Sequence, residues 1–440
     1  MIMKKNPVTE YIRAEENQCP TAVWKFSVLD QACFPMIIHG TLVYDVQLDV
    51  DTMKAGFKKL LYYYPHLSGR MKDKSGIQFT NDGVPFTVTS EPDLLLKDAL
   101  KKGQDVDRFS SDIKPSRIRR GIDAPLSVKI TKLQDGSVLG IKCSHACMDG
   151  DSFYTMLYNW GQICKNENFI EPVLDQSLFH VPMNLSREEV QKAAFNRGWK
   201  KVSKLAFLKI LPTFMFGIVK ERTDAFYFSA DGLSQLKRQI STDVSFPCST
   251  HVALSAFLTK MLLKLFNHSE KTTCVQVTVA NLRNRLTEIP STFVGNASSI
   301  VATPNFSAGA SLEEIAGIIH RTLQPLRETS LEELRNIVSL SIQAMKLKLP
   351  VLPFDFTEMY SKKPTVFYIN NFSNFHIYDL DFGFRKPVSI IPHNLSDQVL
   401  IWPAHPAKGG VEVYFSGIPA RMIRKMKKDD PWFQGMKQYS

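Results

Sequence analysis

Hydrophobic and polar positions change period along this chain, and each change marks an element. Apolar, β-branched residues run from Trp24 to Tyr44, punctuated by Pro35 and Gly40, and predict strand around 37–46. From 52 to 63 the period turns helical. Met53, Phe57, Leu60 and Leu61 fall on one stripe, and Asp51 stands where a cap is needed. Pro65 and Gly69 stop that helix. Residues 77–80 and 85–89 read as a hairpin turning on Asn81-Asp82-Gly83. Leu126–Leu133 and 138–144 read as another, turning on Asp135-Gly136, and a helical pattern over 152–164 follows.

The second half repeats this mixture. It predicts strands at 226–229, 275–279, 366–370 and Val411–Phe415, and helices at 232–240, 249–266, 312–327, 331–347 and 418–427. Asp381-Phe382-Gly383 reads as a turn between strands. Between the halves, 184–222 changes character: charges cluster first, then an apolar run with interspersed lysines follows. The predicted organisation is an N-terminal domain 1–183, a crossover 184–222 and a C-terminal domain 223–440, since single cores rarely exceed about 250–300 residues. There is no regular βαβ repeat and no glycine-rich phosphate loop, so the fold class is α+β with mixed sheets.

Composition narrows the partners. Hydrophobic residues make up 44% and charged residues 22%, as in an ordinary globular chain. The net charge is +11, but Lys and Arg are scattered and no nucleic-acid motif is present. An anionic small molecule or a membrane surface suits that balance better than nucleic acid. Seven cysteines at irregular spacing suit a reducing compartment, and neither a signal peptide nor an 18-residue apolar run is found, so the expected location is the cytoplasm.

Chemistry concentrates after the 138–144 strand, where His145 ends it and Asp149-Gly150 precedes a helix. Imidazole titrates near neutrality, so His145 can take a proton and return it within one cycle; a structural histidine in a turn is the alternative. Asp149 can orient the imidazole, cap the following helix or enter a buried ion pair, and Gly150 favours the structural roles. Cys143 and Cys147 flank His145, but no further ligands complete a metal set, and small-volume packing suits them better than nucleophilic work. Segment 200–220 carries Phe207, Leu211, Phe214 and Phe216 beside Lys200, Lys201, Lys204 and Lys209. It fits either a weak membrane-surface contact or apolar packing between domains, and Pro212 breaks any helix there.

With these pieces in order, the chain resembles the BAHD family of acyl-CoA-dependent acyltransferases over nearly its whole length. Ser27-Val28-Leu29-Asp30 and Tyr63 to Arg70 look like the family's early leucine-aspartate and "FYPLAGR" segments. Asn81 to Phe86 looks like its "N-x-G-V-x-F" hairpin, and His145 to Gly150 matches its "H-x-x-x-D-G", with Trp160 downstream. Asn281 to Leu286 with Gly295-Asn296 matches "NLRxRL…GN", and Asp381 to Pro387 resembles "DFGWGKP" with Phe384 and Arg385 substituted.

The resemblance implies two similar chloramphenicol-acetyltransferase-like domains with a channel between them. It implies acyl-CoA as co-substrate, no permanently bound cofactor and no metal, a small-molecule alcohol or amine as acceptor, no acyl-enzyme, and a monomer. His145 is then the general base, and Asp149 and Gly150 hold the motif, with Asp149 paired to Arg283. Ser249, Thr250 and Arg285 fall to the CoA side. Asn370, Asn371, Phe372 and His39 fall to the acceptor or oxyanion side, and Asp381, Phe382 and Gly383 form a structural turn. Phe372 and Asn374 do not favour a carboxylated acceptor. Two rivals share the fold: a carrier-protein-dependent condensation-type enzyme, and a non-catalytic binding protein.

Overall fold

The computed structural model describes residues 7–16, 21–100, 106–179, 184–197, 199–201, 208, 226–283, 285–286, 288–324, 331–352, 358–359, 363–392, 399–415 and 418. Most of segment 200–220 and nearly all of the expected C-terminal helix lie outside these residues. The chain forms two compact units that are not continuous in sequence. The first takes 1–180 together with 288–297 and 375–393, and the second takes 181–287, 298–374 and 394–440.

In the first unit a six-stranded mixed sheet is built from β1 (Val8–Ile12), β2 (Ile37–Tyr44), β3 (Val84–Glu91), β4 (Leu126–Leu133) and β5 (Ser137–Ser144) in the order β1-β3-β4-β5-β2. The strand Ser389–Pro392 closes the β2 edge. β3 and β4 run parallel, and the other neighbours are antiparallel. The β4–β5 hairpin forms on Asp135-Gly136 as the sequence predicts, pairing Lys132 with Ser137.

The turn at Asn81-Asp82-Gly83 does not make a hairpin. Asn81 and Gly83 do adopt the positive φ that such a turn requires, at 53° and 94°. The strands on its two sides nevertheless separate: Gly76–Gln78 joins a small sheet with Val23–Lys25 and Arg70–Lys72, whereas β3 pairs with β1 and β4.

Three helices matter for the site: α1 (Val28–Cys33), α2 (Val50–Tyr63) and α3 (Gly150–Cys164). The α2 cap is Asp49, whose side chain accepts from the Thr52 N–H at 2.8 Å, so the expected cap at Asp51 is corrected by two residues. Asp51 instead sits in the first turn, where its charge still complements the helix dipole. α3 buries Phe153, Met156, Leu157 and Trp160. The Trp160 ring packs 4.8 Å from Phe57 of α2, and its indole N–H donates to the Met53 carbonyl. Fully burying a large apolar side chain stabilises the fold by about 1.5–3 kcal/mol, so this packing fixes which face α3 turns toward α2.

The second unit holds a seven-stranded mixed sheet. Its main path is β6 (Phe226–Phe228), β11 (Val411–Phe415), β10 (Val399–Pro403), β9 (Val366–Asn371), β7 (Thr273–Asn281) and β8 (Ser298–Ala302), with Phe306–Ser307 also paired to β7. Helices α4 (Ala230–Asp243), α5 (Thr250–Leu265) and α6 (Leu312–Leu323) pack their apolar faces into its core around Phe257, Leu258 and Leu262. Helices and mixed sheets in both units make the fold α+β.

Candidate active site

The site is assembled at the end of β5. The Ser144 N–H donates to the Pro125 carbonyl at 2.8 Å, and the His145 N–H donates to the Met36 carbonyl at 2.9 Å. The loop is thereby stitched to the residue before β2. The Cys147 N–H closes a turn onto the Ser144 carbonyl, and Asp149 then caps α3 with its Oδ1 accepting from the Ser152 N–H at 3.0 Å. Asp149 thus fills the expected role of helix cap.

A second segment, 292–297, grips the same loop. The Asp149 N–H donates to the Gly295 carbonyl at 3.2 Å, and Asp149 Oδ2 accepts from the Ala297 N–H at 3.0 Å. The Ser152 hydroxyl reaches the carbonyls of Phe293 and Gly295. Gly295 has φ +138°, and a Cβ there would lie 2.6 Å from Gln176 Nε2, so only glycine lets the segment pass. Asn296 completes the grip by donating from Nδ2 to the His145 carbonyl at 2.8 Å. The same amide meets Asp30 Oδ1 at 2.8 Å.

The imidazole is partly exposed while its Nδ1 is enclosed without a hydrogen-bond partner. Burial pulls its pKa below the ordinary 6.5, against opposing pulls from its own main chain, the Asp149 charge and Asn296. At neutral pH the ring is therefore uncharged and able to accept a proton. The Cys143 and Cys147 thiols are fully buried, and burial pushes both well above the ordinary thiol range. They stay protonated, which disfavours a cysteine nucleophile. Among the described residues no group of three or more His, Cys, Asp or Glu is placed to hold a metal ion.

The Asp381-Phe382-Gly383 turn belongs to the first unit. Asp381 Oδ1 accepts from the Gly383 and Phe384 N–H groups, and Gly383 takes φ +93°. Phe382 is buried against Trp160, with ring centroids 4.9 Å apart. The Tyr44 hydroxyl donates to the Leu380 carbonyl at 3.0 Å. The turn therefore braces α3 and β2.

His39 lies on β2 next to Gly40, whose missing Cβ leaves room for Phe153 of α3. Alternation along the strand directs His39 to the other sheet face, where its Nδ1 stands 3.5 Å from Asp107 Oδ1.

The remaining expected residues lie in the second unit. Arg283 is 5% exposed, and its guanidinium donates to Asn281 Oδ1 at 3.2 Å. Arg285 closes a turn with the Leu282 carbonyl. Ser249 caps α5, its hydroxyl accepting from the Val252 N–H, and Thr250 is the first helical residue. Asn370 and Asn371 end β9, with Asn371 Nδ2 2.9 Å from His251 Nδ1, and Phe372 packs 5.5 Å from the Trp402 ring. Sequence reasoning assigned no site role to Asp30 or Asn296. Their signals were the Ser27–Asp30 capping-box spacing and the Gly295-Asn296 pair.

Comparison with solved structures places this architecture. Vinorine synthase matches with a TM-score of 0.71 at 19% identity, covering 99% of this chain and 98% of that one. TRI101 of F. sporotrichioides, solved with coenzyme A and T-2, matches with a TM-score of 0.71 at 17% identity, covering 93% and 98%. The chain thus has the two-domain acyltransferase fold. The model of the Transferase family matches residues 8–430, and the chain belongs to that family, the BAHD acyl-CoA-dependent acyltransferases. It is 23% identical to stemmadenine O-acetyltransferase of Catharanthus roseus over 390 residues, which is 83% of this chain and 82% of that protein.

Proposed function

We propose that this enzyme transfers an acyl group from acyl-CoA to a hydroxyl or amine of a small-molecule acceptor, with His145 as general base and without an acyl-enzyme. The observation that carries the reading is the placement of His145 at the end of β5, with its peptide held on both sides by Met36 and Asn296 and its pKa drawn below 6.5 by burial. His145 takes the acceptor proton as the acceptor attacks the thioester carbonyl. The tetrahedral oxyanion collapses, and the departing CoA thiolate takes the proton back. The raised Cys143 and Cys147 thiols support direct transfer. Relatives named for acetyl, malonyl and hydroxycinnamoyl transfer support the acyl-CoA donor class, and a tryptamine hydroxycinnamoyltransferase keeps amine acceptors open.

In the same reading Ser249, Thr250 and Arg285 serve the CoA side, and Asn370, Asn371, Phe372 and His39 serve the acceptor. The start of α5 suits a phosphate group, because its first N–H groups carry partial positive charge, and the net charge of +11 favours an anionic ligand. The protein works as a cytoplasmic monomer; the six described cysteines are free thiols, which suits a reducing compartment.

The test is a matrix of acyl-CoAs against alcohols and amines, read by free-thiol titration and product mass. Release of CoA matched by acylated product supports the proposal. Turnover only with an acyl group loaded on a carrier protein, or binding without turnover, overturns it.

A further inference from the structure

Asp30 and Asn296 stand 266 positions apart in sequence, yet they form one buried unit with the His145 peptide. Asp30 is fully buried and Asn296 is 2% exposed. The Asp30 carboxylate accepts three N–H groups: Asn296 N at 3.0 Å and Nδ2 at 2.8 Å on Oδ1, and Ser27 N at 2.8 Å on Oδ2. Asp30 is itself fixed, because its own N–H donates to the Ser27 hydroxyl in the capping box of α1.

Asn296 Nδ2 thus has two acceptors, Asp30 Oδ1 and the His145 carbonyl. An amide nitrogen has two hydrogens, so both are committed. Turning the amide over would press its oxygen against two other acceptors, one of them a carboxylate, which excludes the flipped state. The amide is locked by Asp30 and in turn locks the carbonyl of the residue that carries the imidazole. Burial pushes the Asp30 carboxyl up to about 6, while the Asn296 and Ser27 hydrogen bonds pull it down.

We propose that Asp30 and Asn296 are positioning residues for His145: Asp30 fixes the Asn296 amide, and that amide fixes the His145 peptide from which the imidazole projects. This rests on the reading of His145 as general base. Neither residue touches substrate in this scheme. Each acts by keeping Nδ1 enclosed and one ring face presented, the kind of preorganisation whose loss lowers turnover more than affinity.

The experiment is a set of paired substitutions in the full-length enzyme. Asn296→Ala, Asn296→Asp and Asp30→Ala are made in the wild type and again with His145→Ala. For each, kcat, KM for acyl-CoA and melting temperature are measured. In the wild-type background each should lower kcat by about 10- to 100-fold and move KM by less than about threefold. Asn296→Asp should be the worst, because it sets a carboxylate against both Asp30 and the His145 carbonyl. In the His145→Ala background the same substitutions should leave the residual rate unchanged. Equal losses in both backgrounds overturn the proposal, since the residues would then only hold the fold. A wild-type rate for His145→Ala by itself would overturn the base assignment instead.

Nitrogen NMR of labelled histidine supplies a readout independent of turnover. Asn296→Ala should move or broaden the His145 ring signals in a folded protein. Unchanged ring signals overturn the proposal.

Discussion

The Ala297 N–H donates to Oδ2 of Asp149 at 3.0 Å while Oδ1 of the same carboxylate caps α3. One side chain thereby joins a helix start to a segment that enters from far along the chain, and each oxygen has a main-chain donor. Asp149→Asn should keep the cap but turn an NH₂ group against the Ala297 N–H. Two opposed donors in a buried site cost about 1–3 kcal/mol, and Asp149→Ala should cost more by losing the cap as well. Urea unfolding of the two variants checks this; an Asn variant as stable as wild type would refute it.

His145→Ala should lower turnover by roughly 10²–10⁴-fold with little change in melting temperature, the range expected for a lost general base. Rate and thermal unfolding measured on the same preparation decide it.

The acidity of His145 sets the pH response. Its pKa lies below the ordinary 6.5, so the active neutral form persists down through pH 6.5 and is lost only on further acidification. The acid limb of kcat/KM should therefore fall below pH 6.5. A limb at pH 7 or above would contradict the burial-driven shift.

His66 makes a second pH prediction, this time for stability. It is fully buried and stacks 4.7 Å from Trp24, both ring nitrogens lack hydrogen-bond partners, and burial pulls its pKa to about 3. Between pH 3 and 6.5 the unfolded chain binds a proton here that the folded chain refuses. Its contribution is fully present above pH 6.5 and is lost as pH falls. His66→Phe should flatten the drop in melting temperature between pH 6.5 and 4. An unchanged slope would clear His66 of the effect.

Gly161 lies on α3 where a Cβ would come within 2.5 Å of the Asp381 carbonyl. Gly161→Ala must push the Asp381 turn away from the helix or shift the helix itself. Overpacking of this kind costs typically about 1–3 kcal/mol, which a lowered urea midpoint would register.

What the sequence made legible was local. The β4–β5 hairpin was readable because Asp135-Gly136 determines both its turn and its register, and α3 was readable from its apolar stripe. The Asn81-Asp82-Gly83 turn shows the limit. Its backbone conformation follows from residue type, but the partners of the flanking strands are chosen by β1, β4 and Val23–Lys25, which no local pattern encodes. His145 stood out because a titratable residue ended a strand. Asp30 and Asn296 entered only as parts of family-like segments, because their roles depend on a meeting over 266 positions. The Asp381 turn likewise carries no periodic signal that assigns it to the first unit.

The grip of segment 292–297 on the His145 loop has a consequence in time. During synthesis β5 and α3 emerge well before Gly295, Asn296 and Ala297, and the β2 edge waits longer still for Ser389–Pro392. Until then the His145 carbonyl, Oδ2 of Asp149 and a row of β2 main-chain groups lack the partners that these later segments bring. Such long-range closures are slow, because loop entropy opposes them until the last contact forms. The nascent first unit therefore passes through a long interval with its reactive loop unset and one sheet edge open. In that interval the edge of β2 offers unpaired main-chain groups, the feature through which partly folded chains aggregate.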